Sequence, residues 1–336
     1  MDAHAHDHPP DVAVVVPTFH RPDLLATCLL ALVGQTLAPE HYEIVVVDDG
    51  HDDQTHEVVR RFAAGLARPR IRYLRPSHGR GPAIARNCGW RATNAPVIAF
   101  TDDDTKPDPH WLQHGLATLL RNPEWVAAAG QVEVPRPEGA GSHRPTDHEL
   151  MTRGLATAEF VTANAFVRRK ALEATGGFDE RFRRAWREDS DLHFRLLQLG
   201  PVGRAPLALV WHPVRRERWG VSLRQQRNVF FDALLYSKHP RQYRERVRRV
   251  PPWDYYAIVA LAFATPLLAL AKAPVAAAVA LLTALGLILR VALRRLQPTS
   301  RAPAHVWEML ATSAAIPFLS VYWRLRGAWH FRTLFL

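Results

Sequence analysis

Apolar runs of four to six residues punctuate the first third of the chain, each closed by polar or turn-forming residues. Val12–Val16 ends at Pro17-Thr18, Tyr42–Val47 at Asp48-Asp49-Gly50, and Val97–Phe100 at Thr101 and three aspartates. Continuous apolar runs of this length suit strands buried on both faces, as in a parallel sheet. Strands are also predicted at Ile71–Leu74 and Val126–Val134. Between them the apolar spacing turns helical. Leu24, Leu25, Cys28, Leu29, Leu32 and Val33 share a face after Arg21-Pro22-Asp23, and helices are predicted over Thr55–Leu66, Ala83–Ala92 and Trp111–Leu120. Strands alternating with helices imply a doubly wound α/β sheet with right-handed crossovers. The first strand runs into Pro-Thr-Phe-His and not a GxGxxG loop, which argues against dinucleotide chemistry.

Residues 135–148 are rich in Pro, Gly and polar residues and read as an exposed loop. Gly176-Gly177 marks a tight turn. Glu188-Asp189-Ser190-Asp191 opens a helix with apolar positions Leu192, Phe194, Leu196, Leu197 and Leu199, and Val210-Trp211-His212-Pro213 closes this part of the chain. The pattern then changes. Tyr255–Ala271 and Pro274–Leu289 are runs of 17 and 16 residues without a charge, joined through Lys272-Ala273-Pro274. Each is near the lower limit for a bilayer span, and together they predict a membrane hairpin over about 255–293. Val306–Trp323, interrupted by Glu308 and Pro317, predicts an interfacial or re-entrant helix.

Charge sharpens this division. Residues 1–214 carry a net −3, whereas residues 215–336 carry +14 of the chain's total +11. A basic segment beside long apolar runs points to anionic membrane lipid and not to nucleic acid. Arginines flank both ends of the hairpin, so the positive-inside tendency puts both ends in the cytoplasm. The expected layout is a disordered tail (1–11), a catalytic α/β domain (12–215), a basic amphipathic helical linker (216–252) and membrane-associated helices (253–336). The two cysteines, Cys28 and Cys88, have no metal-like spacing and read as free thiols in a reducing compartment. The chain opens without an apolar leader segment.

The candidate chemistry lies at the strand ends. Asp102, Asp103 and Asp104 repel one another unless a cation neutralises them, and hard oxygen donors suit Mg²⁺ or Mn²⁺ bridged to substrate phosphates. A solvated acidic turn is the bland alternative for such a triplet alone. Asp48-Asp49 falls on the same sheet edge, where it could hydrogen-bond a base or ribose, with Arg80 and Arg86 as basic candidates for the same pocket.

The segments VVVPTFHRPDLLATCLLALVGQT, YEIVVVDDG and GPAIARNCGWRATNAPVIAFTDDDTKP, in that order, resemble a family 2 glycosyltransferase of GT-A fold across about residues 12–215. The resemblance implies a GT-A-type doubly wound mixed sheet and transfer of a sugar from a nucleotide-sugar with inversion at the anomeric carbon. It puts Pro17, Thr18, Asp49 and Arg86 at the nucleotide, with Arg21, Asp48 and Arg80 beside them. Asp102 and Asp104 fall on the family's DxD motif for ribose and metal, with Asp103 between them, so which carboxylate ligates stays open. Asn164, Gly176, Gly177 and Trp186 fall on the acceptor side. Asp189 matches the family's base and Glu188 its neighbour, a role Asp191 could exchange with either, and His212 matches a histidine that can complete the metal site. Gln225-Gln226-Arg227-Asn228 only partly matches the QxxRW element of processive synthases, which argues against polymer synthesis. The expectation is a metal-dependent transferase using Mn²⁺ or Mg²⁺ and a UDP-linked donor. It would act on a lipid-linked or membrane-proximal acceptor at the cytoplasmic face of the cell membrane. The alternative is a catalytically silent scaffold that binds nucleotide-sugars or lipid. A nucleotidyltransferase would need a glycine- and lysine-rich triphosphate loop after the first strand, where none occurs.

Overall fold

The structure, a computed structural model, describes residues 9–136 and 144–336. Most of the expected tail therefore lies outside the described residues. Asp11 is already ordered by His41, whose carbonyl accepts its main-chain N–H and whose Nδ1 meets its carboxylate at 2.7 Å. The chain forms two compact units. One holds Arg153–Pro213 and the described residues up to Arg136; the other holds Val214–Leu336 and the described residues from 144 to Thr152.

The first unit contains β1 (Val12–Thr18), α1 (Pro22–Val33), β2 (Tyr42–Asp48), α2 (Asp53–Ala64), β3 (Arg70–Leu74), α3 (Pro82–Arg91) and β4 (Val97–Thr101). Beyond these come β5 (Lys106–Pro107), α4 (Trp111–Arg121) and β6 (Ala127–Glu133). The strands form one sheet in the order β3-β2-β1-β4-β7-β6-β8-β5, where β7 is Asn164–Arg168 and β8 is Val202–Trp211. β1 pairs in parallel with β2 and β4, and β2 with β3. β7 runs antiparallel to both β4 and β6, while β8 is parallel to β6. Two reversals restore the direction, so the ends of β1, β2, β4 and β8 all emerge on one sheet edge. Alternate residues of β1 supply both cores: Val12, Val14 and Val16 pack with α1 and α4, and Ala13 and Val15 pack with α3. Helices on both faces explain why the strands read as unbroken apolar runs. Helix α6 (Arg169–Thr175) ends on Gly176 in the left-handed conformation, and α7 (Glu188–Leu196) follows.

In the second unit, part of the expected 135–148 loop is helical. Thr146 and Glu149 exchange backbone–side-chain hydrogen bonds, a capping box that starts α5 (Asp147–Arg153). Residues 137–143 of that loop lie outside the described residues. The 216–252 stretch is helical in several short pieces. It comprises α8 (Val221–Gln225), α9 (Val229–Lys238) and α10 (Pro240–Gln242) with short tighter and wider turns between and after them, and α9 buries Phe231, Ala233, Leu234 and Leu235. α11 (Trp253–Leu270) and α12 (Pro274–Leu296) form the hairpin. The third apolar segment is longer than expected, because α13 (Pro303–His330) runs straight through Pro317. It buries Met309, Ile316, Pro317, Val321 and Gly327, and close packing against α9, α11 and α12 outweighs the lost main-chain hydrogen bond at Pro317.

Candidate active site

Local sequence puts charged groups on the shared edge. Thr18 is opposite Asp48 in the β1–β2 register, β4 runs out into Asp102, and β8 runs out into His212, whose main-chain N–H donates to the Glu133 carbonyl at 2.8 Å. Single oxygen atoms of Asp102 and Asp104 and a ring nitrogen of His212 lie within 4.8 Å of one another, with His212 Nε2 3.5 Å from Asp104 Oδ1. Two carboxylates and an imidazole form a donor set that could hold a divalent cation with open positions.

Asp103 is turned away from this group. Its Oδ2 accepts from Thr18 Oγ1 at 2.8 Å and its Oδ1 from Arg21 Nη1 at 3.2 Å. Burial raises its pKa to about 6; Arg21 opposes the rise and the neighbouring carboxylates reinforce it. The middle aspartate, whose ligand role the sequence leaves open, ties β1 and the start of α1 to the β4 loop.

Asp48 and Asp49 also differ. Asp48 is fully buried and accepts from the main-chain N–H groups of Gly50 and Asp52 and from Tyr73 Oη. Those bonds make it a loop anchor and not the nucleotide contact expected from its position. Asp49 uses Oδ2 for the Gly81 N–H at 2.8 Å, while its buried Oδ1 has no partner. Pro17 stays in β1, and Arg80 is exposed beside Asp49, which feels its charge.

Arg86 joins the two acidic clusters. It projects from α3, is 3% exposed, and donates from Nη2 to Asp102 Oδ1 at 2.8 Å and from Nη1 to Glu188 Oε1 at 3.0 Å. Residues 86, 102 and 188, far apart in sequence, therefore meet at one place. Glu188 Oε2 and Arg86 Nε are buried without partners, the signature of groups awaiting a polar ligand or water. Arg187 precedes α7 at φ 75°, a left-handed conformation rare for a residue with a side chain, and its guanidinium lies 4.6 Å over the Trp186 ring. This turn sets Glu188 and Asp189 in the first turn of α7. Burial raises the proton affinity of both, Asp189 adds to the rise at Glu188, and Arg86 opposes it at both.

Three other expected site residues are engaged within the fold. Asp191 is fully buried in an ion pair with Arg195 at 2.7 Å, an internal brace of α7 and not a base. Asn164 is fully buried too. It accepts from Trp111 Nε1 and donates to the Gln131 and Ala208 carbonyls, so it ties β6, β8 and α4 together and does not face an acceptor. Gly177, at φ 78°, has no room for a Cβ against Asn87 and Trp90, and that packing explains it. Trp186 is half-buried at the turn before α7. Asn87 escaped sequence reasoning. It grips residues 178 and 180 by accepting from the Phe178 N–H and donating to the Phe178 carbonyl and Glu180, contacts that its sequence spacing does not reveal.

Comparison with known proteins fits this geometry. The profile of glycosyl transferase family 2 matches residues 13–176, and that of glycosyl transferase family group 2 matches residues 97–323. Glycosyltransferase AglE of Haloferax volcanii is 30% identical over 173 residues, covering 50% of this chain and 56% of its own. A validoxylamine A glucosyltransferase of Streptomyces hygroscopicus subsp. limoneus is 31% identical over 255 residues, covering 66% and 54%. The chain thus spans little more than half the length of these relatives. A mannosyltransferase from Pyrobaculum calidifontis, solved in complex with GDP-Man and Mn²⁺, shares the fold. Its TM-score is 0.58 at 21% identity, covering 94% of this chain and 88% of its own. With the second profile matching well over half of the chain, the protein belongs to the family 2 glycosyltransferases.

Proposed function

We propose that the chain transfers a sugar from a nucleotide-sugar, UDP-linked by preference, to a lipid-linked or membrane-proximal acceptor, with inversion at the anomeric carbon. The observation that carries this reading is the Arg86 bridge, because it draws the Asp102–Asp104 cluster and the Glu188–Asp189 cluster into one site. Asp102, Asp104 and His212 would hold Mn²⁺ or Mg²⁺, and the bound ion would supply Lewis-acid stabilisation to the leaving diphosphate. The open Oδ1 of Asp49 accepts a hydrogen bond from the base or ribose. Thr18 and Arg21 restrain Asp103, which keeps the strand-end loop rigid as the donor enters. Asp189 takes the proton of the acceptor hydroxyl as that oxygen attacks the anomeric carbon. Its raised proton affinity brings it closer to the working pH, where a general base is most effective. Glu188, fixed by Arg86, orients the acceptor beside it. The apolar helices α11 and α12 and their arginine-rich flanks support action at the cytoplasmic face of a membrane.

The test follows donor turnover by the purified chain with UDP- and GDP-sugars, with and without Mn²⁺. Asp189→Asn lowers kcat by about 100-fold or more while donor binding persists. Asp104→Asn removes the metal-dependent part of donor binding. Unchanged turnover in both variants defeats the assignment, and metal-dependent nucleotide binding with no transfer in the wild type favours a silent scaffold.

A further inference from the structure

We infer that the helical unit carries a separate anion site, suited to a phosphate or diphosphate group, in a cavity walled by the start of α5, residues 214–221 and the first two turns of α13. The cavity has a volume of about 480 Å³, within the range of small-ligand sites. Two histidines line it with unused hydrogen-bonding atoms. His148 has both ring nitrogens buried without a partner, and His305, 8% exposed, has Nε2 buried without one. Buried polar atoms left unpaired carry a desolvation cost, which an anion accepting from the imidazole N–H groups relieves.

The charge of a fitting ligand follows from which lining charges are already engaged. Asp147 accepts from Arg295 Nη2 at 2.8 Å, Glu308 from the Gly220 N–H at 2.7 Å, and Glu149 from the Thr146 N–H at 2.9 Å. Glu217 stands 3.7 Å from Arg224. Every carboxylate on the wall among the described residues thus has a partner within the fold. The exposed Arg216 and Arg218 have no ion-pair partner among the described residues. The uncommitted groups are two guanidinium ions and two imidazoles, which together form a donor-rich wall for an anion. The N-terminus of α13 lacks a side-chain cap, and the positive end of a 28-residue helix adds to the preference for negative charge. Val214 and Arg215 begin two residues after His212 in the sequence, so the segment lining this cavity continues directly from the candidate metal ligand.

This site goes beyond the sugar-transfer reading and is tested without turnover. The full chain in detergent is titrated with inorganic phosphate and with pyrophosphate in EDTA, which keeps the Asp102–Asp104–His212 group out of play. The expected result is saturable binding that Arg216→Ala/Arg218→Ala weakens about tenfold or more and that His305→Gln also weakens, with melting curves kept. Arg248→Ala/Arg249→Ala removes the same charge from exposed residues that do not line the cavity, and it leaves binding unchanged. Flotation with phosphatidylcholine vesicles, with and without phosphatidic acid, separates the sources. Capture that depends on phosphatidic acid and on Arg216 and Arg218, with no response to free phosphate, assigns the anion to a lipid headgroup. The inference is overturned by no saturable binding of phosphate, pyrophosphate or phosphatidic acid vesicles to the wild type, by equal binding in the wild type and both cavity variants, or by equal weakening by the control pair.

Discussion

Burying a guanidinium is costly unless carboxyl groups accept its hydrogen bonds. Arg86 has that setting, with Asp102 on one side and Glu188 on the other. Glu188 is held less comfortably. Burial and the adjacent Asp189 push its pKa up to about 7, well above the ordinary carboxylate range. The folded protein therefore disfavours the ionised form more than the unfolded chain does. The stability linked to this group is full below its unfolded pKa, near 4.5, and is lost as pH rises through about 7. In metal-free protein the wild type should lose on the order of 1–3 kcal/mol between about pH 5 and pH 8 that Glu188→Gln does not lose. Melting temperatures of both proteins across this range measure the difference, and parallel slopes would refute it. Residue types in the site were legible from the strand-end motifs, and Arg86 was among the candidates. The partners were not. Asp48, Asp103, Asp191 and Asn164 look in sequence like site residues, yet each spends its hydrogen-bonding capacity on backbone or side-chain neighbours that no spacing rule reveals.

Elements were legible wherever one periodicity persisted. The β1, β2 and β4 runs became strands within a residue or two of their expected limits, because a strand covered on both faces must be apolar throughout. The reversal of β7 between β4 and β6 was not legible, since strand direction depends on long-range pairing and leaves no mark on a five-residue strand with three apolar residues. That reversal creates a tight contact: α4 crosses β7 with Gly115 directly over the Phe166 ring, which also packs 5.1 Å from Trp111. A methyl group at position 115 would sit well inside van der Waals contact with the ring. Gly115→Ala should therefore destabilise the protein by about 1–3 kcal/mol despite its better helix propensity, read as a lower denaturation midpoint. An unchanged or higher midpoint would mean that Phe166 has room to move.

At the scale of the whole molecule, apolar surface and positive charge both concentrate in the second unit. The most apolar window of α11 is 6% buried and that of α12 is 28% buried, so packing within the unit leaves most of the hairpin uncovered. Exposed apolar surface on that scale calls for a nonaqueous neighbour. Leu282, 68% exposed on α12, lies on the uncovered face. Leu282→Arg should raise the cost of insertion by about 2.5–3.5 kcal/mol and shift the protein from the membrane pellet toward the supernatant, while nucleotide binding persists. Retention in the pellet at wild-type levels would count against a membrane role for this hairpin.

By itself, the sequence determined the strand-and-helix alternation, the acidic strand ends, the family and the two-part distribution of charge. Each of these is written in local composition or spacing, which a linear chain carries unaltered. Tertiary structure alone decided which aspartates face the site and which brace the fold. It also decided that one arginine links both acidic clusters, and that Pro317 lies inside a continuous helix. Those outcomes depend on contacts between residues up to about a hundred positions apart, and only the closed sheet and packed helices bring them within reach.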